Sequence, residues 1–139
     1  LADLGAEVIK VEIPSGDVAR ALVALPGTEG SLMHATVNRN KKSIGIDLTS
    51  DDGRQILLDL AARCDIFLEN FKAGTLARNG LGYDHVRAVK PDIVYVSVSG
   101  WGQYGPDHEA AGYDPIAQAT AGFMSVNGSP ETPPNMLSR

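Results

Sequence analysis

The chain has 139 residues, a formal net charge of −5, 43% hydrophobic and 21% charged residues, the size and balance of one globular domain. The acidic balance argues against broad nucleic-acid binding, which needs a basic surface, and no apolar run approaches the roughly 20 residues of a membrane span. A single cysteine, Cys64, rules out an intramolecular disulfide and fits a reducing, cytoplasmic setting.

Leu1-Ala-Asp-Leu-Gly5 reads as the last turn of a helix closed by a glycine. Residues 1–12 carry Asp3, Glu7, Lys10 and Glu12 and read as neither a signal nor a transit peptide. Ala6 to Glu12, rich in Val and Ile, predicts a strand, and Pro14-Ser-Gly-Asp17 a turn. Val18 to Leu25 reads as a short helix, Pro26-Gly27-Thr28 as a loop, and Ser31 to Val37 as a second short helix capped by Ser31.

Asn38-Arg-Asn-Lys-Lys42 concentrates three basic residues, Arg39, Lys41 and Lys42. Ser43 to Leu48 predicts the second strand, with Ile44, Ile46 and Leu48 on one face. Thr49-Ser-Asp-Asp52 is a helix start, a hydroxyl cap with carboxylates in the first turn. Ile56, Leu57, Leu60, Ala61 and Cys64 follow at helical spacing.

Asp65 to Asn70 predicts the third strand. A turn at Lys72–Thr75 leads to a short helical run closed by Gly80, and Asp84 caps another, with Val86 and Val89 inward, stopped at Pro91. Asp92 to Ser99 predicts the fourth strand, and a glycine-rich loop runs from Gly100 to Gly112. Asp114-Pro115 is a cap with a first-turn proline, opening a helix that holds Ile116, Ala119, Thr120, Phe123 and Met124. Residues 127–134 read as a loop. Alternating strand and helix is the pattern of an α/β fold, a parallel sheet with helices on both faces.

Gly100-Trp-Gly-Gln-Tyr-Gly105 matches G-x-G-x-x-G after a strand, but Pro106-Asp-His-Glu-Ala follows where a dinucleotide turn opens directly into a helix. The segment therefore reads as a loop lining some other ligand. The run Arg39-Lys41-Lys42 is either a solvated surface or a phosphate contact. His34, His85 and His108 are far apart and lack ligand spacing, so no metal site is suggested. Cys64 reads as a packed core thiol. Asn127-Gly-Ser129 is a glycosylation acceptor in sequence only, and Ser97 and Ser99 lack a nucleophile elbow. Glu12, Asp47 and Glu69 stand at strand ends, each a cap or an ion-pair partner on its own. In open α/β sheets ligands sit past the carboxyl ends of strands, and Glu69-Asn70-Phe71 stands at such an end.

Seven segments in order and register resemble the family III coenzyme A transferases (CaiB/BaiF-like), the group that includes formyl-CoA and carnitine CoA-transferases and the related α-methylacyl-CoA racemases. They are residues 1–12, Pro14-Ser-Gly-Asp17, Asn38-Arg-Asn-Lys-Lys-Ser-Ile44, Glu69-Asn-Phe-Lys-Ala-Gly74, Gly80-Leu-Gly-Tyr83, Ser99-Gly-Trp-Gly-Gln-Tyr-Gly-Pro106 and Gly112-Tyr-Asp114. The resemblance implies a Rossmann-like large domain in an interlocked homodimer. Its substrates are an acyl-CoA and a carboxylic acid acceptor, and neither a metal nor a redox cofactor is needed. Catalysis is covalent, through an aspartate that forms a mixed anhydride and then an aspartyl-CoA thioester.

The resemblance also carries residues over. Asn70 and Phe71 match positions lining the CoA site, Thr75 and Arg78 positions near its adenine and phosphates, and Ile46 an apolar contact to the adenine. Ile13 and Thr49 replace basic residues that some members use for CoA, so Lys41 or Lys42 would have to compensate. Tyr113 and Asp114 match the motif that faces the reacting centre. The racemases carry histidine where Tyr113 stands, because an acid/base group must exchange the α-proton. A tyrosine, with its ordinary pKa near 10, favours a transferase instead.

The resemblance places the nucleophilic aspartate shortly after Arg139, and a first strand before Leu1. Residues 1–139 are therefore expected to form one partial CoA-binding domain without its first strand and without everything after Pro133-Pro134. Such a piece would be inactive alone and prone to self-association. The other readings are a piece of a racemase and a non-catalytic α/β binding module.

Overall fold

A computed structural model describes residues 1–22 and 30–137. The chain divides into two compact units, Leu1–Leu60 and Ala61–Arg139.

In the first unit, strand β1 (Val8–Glu12) pairs in parallel with β2 (Lys41–Gly45), from Val8 opposite Lys41 to Glu12 opposite Gly45. The Ile46 amide adds one more rung, donating to the Glu12 carbonyl at 2.8 Å. Ahead of β1, a 3-10 turn at Ala2–Leu4 is closed by Gly5. After β1 the Gly16 amide closes a turn on the Ile13 carbonyl, and Asp17 caps a 3-10 turn at Val18–Arg20. The expected extension of that helix to Leu25, and the Pro26–Thr28 loop, lie outside the described residues. Helix α1 (Leu32–Val37) starts where expected, with Ser31 accepting from the His34 amide at 3.2 Å. Helix α2 (Asp51–Ala61) is capped by Ser50, whose hydroxyl accepts from the Gly53 amide at 3.0 Å.

Strand β2 differs from its expected bounds of Ser43–Leu48. It begins two residues earlier, so Lys41 and Lys42 belong to the strand, and it stops at Gly45. The reason is local. Asp47 accepts from the Thr49 amide at 2.9 Å and its carbonyl takes the Ser50 amide, so the chain has already turned. Ile44 is exposed while Ile46, past the strand end, is buried.

In the second unit, β3 (Ile66–Glu69) pairs in parallel with β4 (Val94–Ser97), from Ile66 opposite Val94 to Glu69 opposite Ser97. Phe67 and Tyr95, opposite each other, stack with ring centroids 5.0 Å apart, and the Tyr83 ring meets Tyr95 edge-on at 5.8 Å. Helices α3 (Thr75–Arg78) and α4 (Tyr83–Val89) connect β3 to β4, and α5 (Asp114–Thr120) and a 3-10 turn at Phe123–Val126 follow β4. Ala61, Ala73, Leu76, Leu81, Val86 and Ile93 are buried, Leu81 and Val86 entirely.

Three expectations are corrected here. Val89, expected inward beside Val86, is half-exposed. Helices α4 and α5 start from Gly82 and Tyr113, so Asp84 and Asp114 sit in first turns, where a carboxylate meets the positive end of the helix. Cys64 lies past the end of α2, half-buried, its amide closing on the Ala61 carbonyl at 3.1 Å.

The architecture is α/β with parallel strands, present as two parallel pairs. Parallel strands are ordinarily covered on both faces. On the second pair Ile66, Leu68 and Val94 are each about half exposed.

Candidate functional site

In the first unit the chemistry collects at the carboxyl end of β1. The Glu12 side chain is only 6% exposed and gathers five contacts from four residues. The Arg20 guanidinium approaches it with Nη2 at 2.5 Å and Nε at 3.0 Å, and the Ser43 hydroxyl donates to it. The Asp17 amide lies at 2.8 Å and Lys10 Nζ at 3.4 Å. The Arg20 and Ser43 bonds hold the Glu12 carboxyl far below the usual carboxylate range. Lys10 also reaches Asp17 at 2.5 Å and depresses that carboxyl in turn. Together these bonds fix the 13–20 segment beside a cavity of about 310 Å³ lined by Glu12, Ile13, Pro14, Arg20 and Gly45. Ile46 is buried immediately past β2.

Lys41 and Lys42 occupy the other end of that strand. Lys41 stands four extended steps from Gly45, about 13 Å. Lys42 pairs with Glu7 at 2.6 Å, and Lys41 reaches the Asn38 side chain at 3.3 Å. Arg39 forms a two-point pair with Asp3, which Asn40 joins at 2.9 Å. Thr49 donates to Asp47 at 2.6 Å.

In the second unit, β3 ends at Glu69, whose side chain is buried. It accepts from the Phe71 amide at 2.7 Å and from the Ser97 hydroxyl on β4. Asn70 donates its side-chain amide to the Val98 carbonyl at 2.7 Å, and the Phe71 ring is half-exposed. Gly74 precedes α3 at φ +74, a left-handed turn that favours glycine, and a Cβ there would stand 2.9 Å from Arg78 Nη1. The missing side chain lets the Arg78 guanidinium fold back to the Thr75 hydroxyl, at 3.3 Å. A cavity of about 430 Å³ opens at this end of the pair, lined by Glu69, Lys72, Thr75, Tyr83, Ser97 and Gln103 among others. Tyr95 also borders it, and burial, with Glu69's charge behind it, pushes the Tyr95 hydroxyl up to about 12.

The glycine-rich loop leaves β4 and returns on itself. Gly100 and Gly112 meet backbone to backbone, and a Cβ on Gly100 would lie 2.4 Å from the Gly112 Cα. The Trp101 indole N–H donates to the Ala111 carbonyl at 3.1 Å and closes the same neck. The G-x-G-x-x-G stretch thus forms a pinched loop and opens no helix. Tyr113 follows the neck directly, 78% exposed, and Asp114 begins α5, where Gln118 donates to it at 2.9 Å.

The structure therefore sets Asn70 and Phe71 directly past the end of β3 and Thr75 and Arg78 on the short helix that follows, with Thr75 the one of the four that lines the cavity, and puts Ile46 at the carboxyl end and Lys41 and Lys42 at the amino end of β2. Sequence reasoning missed the pairing of Glu69 with Ser97, of Glu12 with Ser43, and the glycine neck. The first two follow from the strand register, in which Glu69 lies opposite Ser97 and Ser43 two residues before the partner of Glu12. Among the described residues no cluster of three metal-ligating side chains occurs, and no helix is long and apolar enough to cross a membrane.

Comparison with known proteins gives consistent relatives. A family model described as CoA-transferase family III matches residues 1–138. The chain is 47% identical over 130 residues to a human succinyl-CoA:glutarate CoA-transferase, covering 92% of this chain and 30% of that protein. It is 41% identical over 135 residues to a formyl-CoA:oxalate CoA-transferase of Streptomyces avermitilis, covering 96% and 32%. A crystal structure of a CAIB/BAIF family protein from Brucella suis superposes with a TM-score of 0.91 at 38% identity, over 99% of this chain and 37% of that one. The chain thus spans about a third of the length of the relatives it matches.

Proposed function

Because the chain belongs to CoA-transferase family III, we propose that it supplies the CoA-binding face of an enzyme that moves CoA from an acyl-CoA donor to a carboxylic acid acceptor. The observation that carries this reading is the position of Asn70 and Phe71 just past the carboxyl end of β3, where an α/β fold places its ligand, with Thr75 of the following helix lining the cavity there. Arg78 offers a planar, permanently charged fork to a CoA phosphate, and binding there would exchange its Thr75 contact for a stronger one. Ile46 supplies an apolar contact to the adenine. Lys41 or Lys42 would stand in for the basic residues replaced by Ile13 and Thr49, and Lys42 would have to give up its pair with Glu7 to meet a phosphate. The two named relatives both have dicarboxylates, glutarate and oxalate, as acceptors in their names, and we assign the same acceptor class here.

The chemistry of the reading balances without an outside reactant. An aspartate carboxylate attacks the donor thioester, releasing CoA thiolate and leaving a mixed anhydride. The thiolate attacks the aspartyl carbonyl, giving aspartyl-CoA and the free donor acid. The acceptor carboxylate then repeats the two steps in reverse and leaves as its CoA thioester. Tyr113 and Asp114 would border this centre, and the nucleophile would come from outside residues 1–139. Residues 1–139, one partial domain in this reading, would bind CoA alone without turning it over. We further propose that the enzyme is a cytoplasmic homodimer. The half-exposed Ile66, Leu68 and Val94 support self-association of the chain alone.

Calorimetric titration of the 139-residue chain with CoA tests the reading. Saturable binding, weakened at least about 10-fold by Arg78→Ala as befits loss of a charged phosphate contact, is the expected result. A folded chain that takes up no CoA at millimolar concentration refutes it.

A further inference from the structure

Among the described residues Glu69 is the one buried carboxylate of the second unit, and its two oxygens do two different jobs. One accepts from the amide of Phe71, two residues on, so the side chain closes a turn over its own backbone. The other accepts from Ser97 on the neighbouring strand, directly opposite in register. The next residue, Asn70, is tied to the same neighbouring segment through its bond to the Val98 carbonyl, while the Val98 amide donates to the Glu69 carbonyl at 2.9 Å. Residues 69–71 are therefore held by four hydrogen bonds within a single turn of chain.

Burying a carboxylate is costly, and a well-packed apolar residue at the same place is often as stabilising or more so. What the carboxylate supplies is direction. Its two oxygens accept from two separate donors, the Phe71 amide and the Ser97 hydroxyl, and so tie the turn at residues 69–71 to the neighbouring strand. On the CoA-binding reading above, on which this inference rests, we propose that Glu69 is a positioning residue: its carboxylate fixes the backbone of residues 70–71 so that Asn70 and Phe71 face the bound CoA. Glu69 itself does not touch the ligand. Its effect on affinity passes through the two residues it orients.

The chemistry predicts which substitutions are tolerated. In Glu69→Gln, the amide oxygen still accepts from the Phe71 N–H, and the Ser97 hydroxyl rotates to accept from the new NH₂ group. Both bonds survive. In Glu69→Ala, both donors lose their acceptor.

The test titrates CoA into the wild-type chain, E69Q, E69A, the N70A/F71A double variant and the triple variant, and follows exchange of the Phe71 amide by NMR. We expect E69A to bind CoA roughly 10-fold more weakly, with the Phe71 amide deprotected, in keeping with the loss of a charge-assisted bond. E69Q should return to within about 2-fold of wild type, its bonds being kept. Adding E69A to N70A/F71A should cost nothing further, because the coupled residues are already gone. If E69A does not fold, Glu69→Asp carries the same expectation, since it keeps the charge but ends one methylene short of the Phe71 amide. Wild-type binding that E69A leaves unchanged, or an E69A loss that persists in full in the N70A/F71A background, overturns the inference alone. A folded wild-type chain that does not bind CoA overturns the CoA reading and this inference with it.

Discussion

Replacing Gly100 by alanine should break the neck of the 100–112 loop. The added Cβ would meet the Gly112 Cα at 2.4 Å, its carbonyl oxygen at 2.6 Å and its carbonyl carbon at 2.9 Å. Carbon atoms in contact ordinarily stand about 3.5–4.0 Å apart, so the two backbones must separate by more than about 1 Å. No side chain can rotate away to make that room, because the crowded atoms are all main chain. Overpacking of this kind costs about 1–3 kcal/mol, and backbone on both sides puts Gly100→Ala at the upper end, about 3 kcal/mol. At a urea dependence of about 1–3 kcal/mol per molar, the midpoint should fall by at least about 1 M. Trp101 is the chain's one tryptophan and its indole spans the same neck, so its fluorescence reports the opening directly. Gly105→Ala is the control. Gly105 has φ +100 and nothing within 4 Å of an added Cβ, so that variant carries left-handed strain, roughly 1–2 kcal/mol, without crowding. Its Trp101 emission should match wild type. A Gly100→Ala chain with unchanged stability and unchanged Trp101 emission would refute the assignment of the neck as a close backbone contact.

Two pH dependences follow from the same structure. Glu12 is held below its ordinary value of 4.5 by Arg20 and Ser43, so it contributes stability that is present above about pH 4.5 and lost as pH falls further. Urea midpoints measured from pH 6 down to pH 3 should fall, and Glu12→Gln should be less stable at pH 6 and show a flatter decline. An equally steep decline in the variant would put the acid sensitivity elsewhere. Tyr95 behaves in the opposite sense. Its hydroxyl is raised from 10.0 to about 12 by burial, so the unfolded chain ionises first and stability is lost as pH rises between those values. In an alkaline absorbance titration of the four tyrosines, Tyr95→Phe should remove the latest-ionising one, and a persisting phase near pH 12 would contradict the burial argument.

Much of the element order was legible because the signals were local. The Ser31 and Ser50 caps and the Gly80 stop lie within a few residues of what they specify, and each appears where the pattern puts it. Boundaries were less so. Strand β2 ends at Gly45 because Asp47 turns the chain with its own side chain, and Asp47 reads from sequence only as a strand-end carboxylate. The candidate site was legible in one respect and opaque in another. Glu12 and Glu69 stood out as carboxylates at strand ends, but their partners Ser43 and Ser97 lie about thirty residues away, and only the parallel register brings them together. The run Arg39-Lys41-Lys42 shows the converse. As sequence it is a block of positive charge, whereas in the fold Arg39 and Lys42 meet Asp3 and Glu7 from the preceding segment.

The pinched loop has a consequence for how such chains can change. With its ends held together at Gly100 and Gly112, the span between them is a closed ring as far as the rest of the unit is concerned. Doubling the length of a flexible ring of this kind adds only about 0.6 kcal/mol of closure entropy. Residues grafted at the tip beside Tyr104, which is 87% exposed, would therefore lengthen the loop without displacing Tyr113 and Asp114, whose place is set at the neck. Lineages and protein engineers alike can vary that tip, as an affinity handle or a new contact surface, while Tyr113 and Asp114 stay where they are.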